Sequence, residues 1–251
     1  MAKPLISFQL YSARNFPPLE AQLETLAAIG YDAVEPYLPL YADDPKGFRA
    51  RIDAVGLAAP TFHAPLAGVT GETERFIDIA KTIGATAIVV PYLVAEERPT
   101  DVDGWKAIHD KLATAAQAAQ AAGLGFGWHN HDFEYVALAD GSRPIDHLIG
   151  GLVGAEVDIG WAVRAGRDAA EEIAKLGDAV IAFHIKDLAP AGTTVDDGWA
   201  NVGEGVIDWA ALWPSITAAK NAGVLVAEHD NPSDWRAFAE RSFAAIKALA
   251  G

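Results

Sequence analysis

Eight short apolar runs alternate with eight helical stretches from Leu5 to Leu249, and this alternation restricts the fold more than any other feature of the chain. The apolar runs are Leu5 to Leu10, Asp32 to Glu35, Leu57 to His63, Thr86 to Val90, Gly125 to His129, Ala155 to Asp158, Ala179 to Lys186 and Val224 to Glu228. Their length and β-branched content suit strands. The helical stretches run from Pro18 to Ile29, Pro45 to Val55, Glu72 to Ile83, Asp103 to Ala122, Pro144 to Ile149, Asp168 to Leu176, Asp208 to Ala222 and Asp234 to Leu249. Gly30, Gly56, Gly84, Gly123, Gly177 and Gly223 stand where helices should stop. Strand–helix alternation at this spacing implies a parallel sheet with right-handed crossovers. Eight units in 251 residues match a closed (β/α)8 barrel in a single domain over residues 1–251. A doubly wound open sheet is the competing arrangement. Neither a G-x-G-x-x-G turn after the first strand nor a Walker loop supports it.

In such a barrel the chemistry sits at the carboxyl ends of the strands. Those ends carry Glu35, His63, His129 with His131, Asp158, His184 and Glu228. Ionisable groups are poor choices for a strand interior. Their recurrence at six of eight ends therefore points to one convergent site, although buried ion-paired networks would use the same residues. In the fifth strand, alternation puts Gly125, Gly127, His129 and His131 on one face and Phe126 and Trp128 on the other. Likewise His184 shares a face with Ala182, so Ile181 and Phe183 should point towards helices. Imidazoles and carboxylates converging in a chain without Cys suit a divalent ion, be it Mn²⁺, Mg²⁺, Co²⁺, Fe²⁺ or Zn²⁺. Between Asp187 and Val206 lies a Gly- and Asp-rich loop of about twenty residues, long enough to be a functional lid.

Composition narrows the partners. A net charge of −15 counts against nucleic acid and anionic membranes, which need clustered Lys and Arg. No apolar stretch is long enough to span a bilayer, and no leader pattern opens the sequence, so a soluble, cytoplasmic protein is expected.

The segments Trp128 to Glu134, Val157 to Trp161, His184 to Asp187, Val202 to Asp208 and Glu228 to Asp230 together resemble the sugar isomerase/epimerase family of xylose isomerase-like barrels. That family includes ketohexose 3-epimerases, inosose dehydratase and isomerase and, more distantly, xylose isomerase and endonuclease IV. The resemblance covers nearly the whole chain. It implies a divalent metal held by Glu, Asp, His and Glu from the fifth to eighth strands. Asp158, His184 and Glu228 match the last three. His129 stands where the epimerases have glutamate, and Trp161 where many members have histidine. Since the two glutamates of the epimerases also serve as their acid/base pair, the change at His129 bears on the reaction more than on metal binding.

The expected ligands are thus His129, Asp158, His184 and Glu228. Glu228, His131 and Lys186 are the expected catalytic groups, and Glu35, His63, Trp161 and Glu134 are expected to meet substrate. The expected chemistry is proton abstraction beside the carbonyl of a keto-sugar or inositol derivative, giving isomerisation or epimerisation through an enediolate. Loss of a β-substituent from the same intermediate would make a dehydratase or lyase. A carbohydrate-binding barrel without turnover, and a metal-dependent nuclease, are the alternatives from other classes. Arg14, Arg143, Arg164 and Lys186 are the few basic residues near the expected mouth, so the substrate is expected to lack phosphate. A homo-oligomer is compatible with the sequence, but no interface is visible in it.

Overall fold

The computed structural model describes residues 3–251. Eight parallel strands form the barrel: β1 (Leu5–Gln9), β2 (Ala33–Glu35), β3 (Thr61–His63), β4 (Ala87–Val90), β5 (Gly125–His129), β6 (Gly154–Asp158), β7 (Val180–Ile185) and β8 (Val224–Ala227). Neighbours pair in order, and β1 pairs β8, so the sheet curls back on itself. The ring closes between β2 and β3 through parallel bridges, Ala33 to Ala58 and Tyr37 to His63. The (β/α)8 architecture expected from the alternation is therefore the one observed.

Helices cover the outer face. Asp44, Asp101, Asp168, Asp208 and Asp234 cap the amino ends of five of them, each accepting backbone N–H bonds from the first turn. Two short helices were not anticipated, Leu66–Gly71 and Ile159–Arg164, both just after strand ends. Outward-facing strand residues such as Phe8, Phe62, Phe126, Trp128 and Phe183 pack beneath the helices in one continuous core. Among the described residues, no helix is long and apolar enough to cross a membrane.

One departure from strict alternation shapes the barrel floor. The β6–β7 register shifts between Ala155 and Glu156, so that Ala155 faces Val180 while Glu156 faces Ala182. The bulge turns Ile181 inward, contrary to the expectation that it faces helices. A Cβ at Gly127 would lie 2.7 Å from the Ile181 side chain, and one at Gly154 2.8 Å. These two glycines make room for an isoleucine that plugs the barrel below the polar groups.

Candidate metal and substrate site

The strand ends deliver two layers of polar side chains. In the lower layer, two carboxylate oxygens lie among the histidines. Glu35 Oε2 accepts from Gln9 Nε2 at 2.6 Å and lies 3.0 Å from His63 Nε2 and 2.8 Å from His184 Nε2. Glu156 Oε2 lies 2.8 Å from His63 Nε2, 3.0 Å from His184 Nε2 and 3.2 Å from His129 Nδ1. The last contact is misaligned for a hydrogen bond, leaving His129 Nδ1 buried without a partner.

These contacts set the charge states. Burial works against the His63 imidazolium, yet Glu35 and Glu156 raise its pKa to about 10. Burial also opposes charge on His184, but Glu156, Glu228 and Glu35 raise it well above the usual histidine range. Burial and the Glu35 charge push Glu156 up, while His184 and His129 pull it down to a net value of about 2. His129 differs, because burial and the neighbouring His184 hold it neutral. Burial and Lys186 likewise depress His131 to about 3.

The upper layer contains Asp158, Lys186 and Glu228. Asp158 ends β6 and begins the helix Ile159–Arg164, where its Oδ1 accepts from Trp161 N at 2.7 Å. Its Oδ2 is buried and unpaired, 3.9 Å from both His129 Nε2 and Lys186 Nζ. Asn130 ties the exit of β5 to the same point, accepting from Asp158 N at 3.0 Å and donating to Asp158 O at 3.1 Å. Lys186 is fully buried, with Nζ 3.3 Å from Glu228 Oε2 and 2.5 Å from Asp230 Oδ1. Burial opposes its charge, but Glu228, Asp230 and Asp158 raise its pKa. Only glycine fits beneath it, since a Cβ at Gly160 would sit 2.9 Å from Lys186 Cβ.

Two overlapping groups have the donor atoms to hold an ion, His129–Asp158–His184–Glu228 and His63–His129–Glu156–His184, each with ligand atoms within 4.8 Å of one another. The upper group fits a divalent ion better. It contains the unpaired Asp158 Oδ2, and His129 and Glu228 border the cavity. It also leaves Glu35 and Glu156 in the position that carboxylates commonly take behind metal-bound histidines, facing the second ring nitrogen. His184 shows this arrangement, with Nδ1 2.8 Å from Glu228 Oε2 and Nε2 against Glu35 and Glu156. Burial raises the Asp158 pKa well above the usual carboxylate range, against the pull of Lys186, so an ion at Oδ2 takes the place of a proton there.

A cavity of about 880 Å³ opens above these groups. His63, His129, His131, Trp161 and Glu228 line it, while Asp158, His184 and Lys186 lie behind that surface. Glu35 is buried in the lower layer and does not reach the cavity. Glu134 is placed differently from its expected role at the substrate. It is fully buried, accepting from Trp128 Nε1 and His131 N, both at 2.8 Å. Its carboxylate thus anchors the loop that presents His131.

Four residues received no role from the sequence: Glu156, Asn130, Asp230 and Asp187. The β6 alternation contained the signal for Glu156, which shares the Asp158 face. Asp187 organises the long loop, accepting from Gly203 N, Gly205 N, Ile207 N and Trp209 Nε1. Strand pairing of Asp187–Leu188 with Trp199–Ala200 fixes the base of that loop. The tip, which brings Asp197 to the cavity, is tied down as well: Asp196 accepts from Ser233 N and Oγ, and Asp197 O accepts from Arg164 Nη2, so the expected lid is anchored in this structure.

Residues 23–249 match the family described as xylose isomerase-like TIM barrel. No curated protein matches the chain in sequence. Among solved structures, a sugar phosphate isomerase/epimerase from Parabacteroides distasonis superposes with a TM-score of 0.80 at 18% identity, covering 100% of this chain and 95% of that one. A zinc-bound IolI protein gives 0.78 at 16% identity, covering 98% of both chains. A 3-keto-D-glucoside 4-epimerase from E. coli gives 0.70 at 21% identity, covering 98% of this chain and 99% of that one. At such identities the likeness is one of fold.

Proposed function

Because the chain belongs to the xylose isomerase-like TIM barrel family, we propose that it is a divalent-metal-dependent isomerase or epimerase of a non-phosphorylated keto-sugar or inositol derivative. The observation that carries this reading is the buried His129–Asp158–His184–Glu228 group with the unpaired Asp158 Oδ2, set at the floor of a sugar-accessible cavity. The zinc-bound and epimerase structures of the same fold support it. A divalent ion bound there supplies a Lewis acid that polarises the substrate carbonyl and lowers the cost of enediolate charge.

The protein groups divide the proton work. Burial favours a neutral Glu228, but Lys186 and His184 outweigh it and hold the carboxylate ionised. Glu228 is therefore the base that takes the proton from the carbon beside the carbonyl. Lys186 Nζ, 3.3 Å from Glu228 Oε2, keeps that carboxylate in place and carries a proton that can be returned through it. His131, neutral and at the cavity wall, serves the substrate hydroxyls as acceptor or donor. Trp161 and the Tyr92 ring pack 5.1 Å and 5.0 Å from the His131 ring and restrict its orientation.

The absence of phosphate rests on the charges of the cavity wall. Glu97, Asp132, Asp197 and Asp230 join Glu228 there, against Arg14 and Arg98. Both guanidiniums are engaged already. Arg14 donates to Tyr11 O and Asp230 O and lies 3.9 Å over the Tyr11 ring. Arg98 donates to Leu93 O and Tyr92 Oη and lies 3.6 Å over Phe133.

One observation favours a second reading, elimination of a β-substituent by a dehydratase or lyase. His129 occupies the position of a carboxylate that a two-base inversion uses, leaving Glu228 as the one carboxylate shared by the ligand group and the cavity. Proton NMR in D₂O against a panel of keto-sugars and inososes separates the two. Deuterium entering beside the carbonyl with the carbon skeleton and hydroxyls intact supports isomerase or epimerase. A new enone signal supports elimination, and neither signal from metal-loaded protein would overturn the enzyme reading.

A further inference from the structure

The cavity has two unlike halves. Its metal-side half, from the ends of β5 to β8, presents His129, His131, Trp161, Glu228, Asp230 and Asn231. The opposite half comes from the loops after β1 to β4, and there the apolar side chains dominate: Tyr11, Tyr37, Leu66, Tyr92 and Val94, with Phe133 closing one side. Three of these are widely exposed, Tyr11 at 40%, Tyr92 at 44% and Val94 at 46%. Exposed aromatic and branched side chains facing an active-site cavity carry a hydration cost that a bound ligand removes.

Size points the same way. A volume of about 880 Å³ lies near the upper end of the range that encloses drug-sized ligands, roughly 300–1,000 Å³. One sugar ring held at the metal side leaves the apolar half empty. The rings there are also fixed: Tyr11 meets Tyr37 edge-on at 5.3 Å, and Tyr92 meets Phe133 edge-on at 5.8 Å. Arg14 over Tyr11 and Arg98 over Phe133 back the same two pairs. A preorganised aromatic wall of this kind suits a planar apolar group and loses little entropy on binding it.

We propose that the apolar half is a subsite for an aromatic substituent, so that the substrate is a keto-sugar of aryl-glycoside type rather than a free monosaccharide. This rests on the sugar reading above and adds to it the group attached to the sugar. The continuity of the cavity identifies the occupant, because a ligand whose carbonyl reaches His129 and Glu228 can lay a substituent along this wall and cover its exposed rings.

Calorimetric titration of the cation-loaded protein with phenyl β-D-glucoside and with methyl β-D-glucoside tests the proposal. The phenyl compound should bind about tenfold more tightly or better. In Val94→Asp, which puts a charge on the apolar wall, that advantage should vanish while the affinity for the cation is unchanged. Equal affinities for the two glycosides in the native protein would overturn the subsite, as would failure of both to bind. Deuterium exchange into methyl and phenyl keto-glycosides then separates the two failures. If both exchange equally well, the sugar reading stands without the subsite, and if neither exchanges, both fall.

Discussion

Replacing Glu156 by glutamine tests whether the ion sits in the upper group of ligands. Glu156 Oε2 lies within 3.2 Å of nitrogens from three imidazoles, and two of those rings, His129 and His184, belong to the proposed ligand set. Glutamine keeps the shape but removes the charge, and its amide can present only one acceptor oxygen to that cluster. Loss of a carboxylate that orients metal-bound histidines typically weakens metal affinity by about 10–100-fold. That factor corresponds to about 1.4–2.7 kcal/mol of binding free energy. Competition between the protein and a chromophoric chelator for Co²⁺ or Zn²⁺ gives the affinity directly. The d–d spectrum of the Co²⁺ form reports whether the coordination geometry survives. An affinity equal to that of the native protein would show that Glu156 does not position the histidines. Complete loss of binding would make Glu156 a ligand and place the ion in the lower group with His63.

Two further outcomes are expected. Protons and metal compete for His184, whose pKa is raised well above the usual range by Glu156, Glu228 and Glu35 against the opposing effect of burial. Metal affinity should therefore rise with pH, about tenfold per unit for each proton released, and calorimetry in buffers of different ionisation enthalpy counts the protons. Glu134→Ala leaves the buried Trp128 Nε1 and the His131 amide without their acceptor, at a cost of about 2 kcal/mol or more. For a chain of this size that is a fall of roughly 4–8 °C in Tm. Burial raises the Glu134 pKa from 4.5 to about 8, despite hydrogen bonds that lower it. The folded state then holds a proton that the unfolded chain has released, so this group's contribution should decline as pH climbs from about 4.5 to about 8, a slope absent in Glu134→Ala.

Much of this was legible in the residues. The eight β/α units could be read because β-branched runs, Pro and Gly stops and Asp caps act locally, and each element is short enough for local signals to bound it. The strand-end rule then brought His129, Asp158, His184 and Glu228 together. What could not be read depended on contacts between distant elements. The bulge that turns Ile181 inward arises from the pairing of β6 with β7 and from the space left by Gly127 and Gly154. Glu134 was expected to meet substrate, but the buried indole N–H of Trp128 required an acceptor and took it. Asp187, next to a lysine in the active-site layer, instead holds loop amides 16 to 20 residues away. Glu156 shared a face with Asp158 in the sequence, and its role appeared only once His63, from a strand 93 residues earlier, lay against it.

The most direct measurement is the metal content of the purified chain and of three variants, Asp158→Ala, His184→Ala and Glu228→Ala. The expected result is about one divalent ion per native chain, a Tm that falls when EDTA removes it, and loss of the ion from each variant. Stoichiometric metal retained by all three variants, or a native chain that binds no added divalent cation, would contradict the assignment of this site.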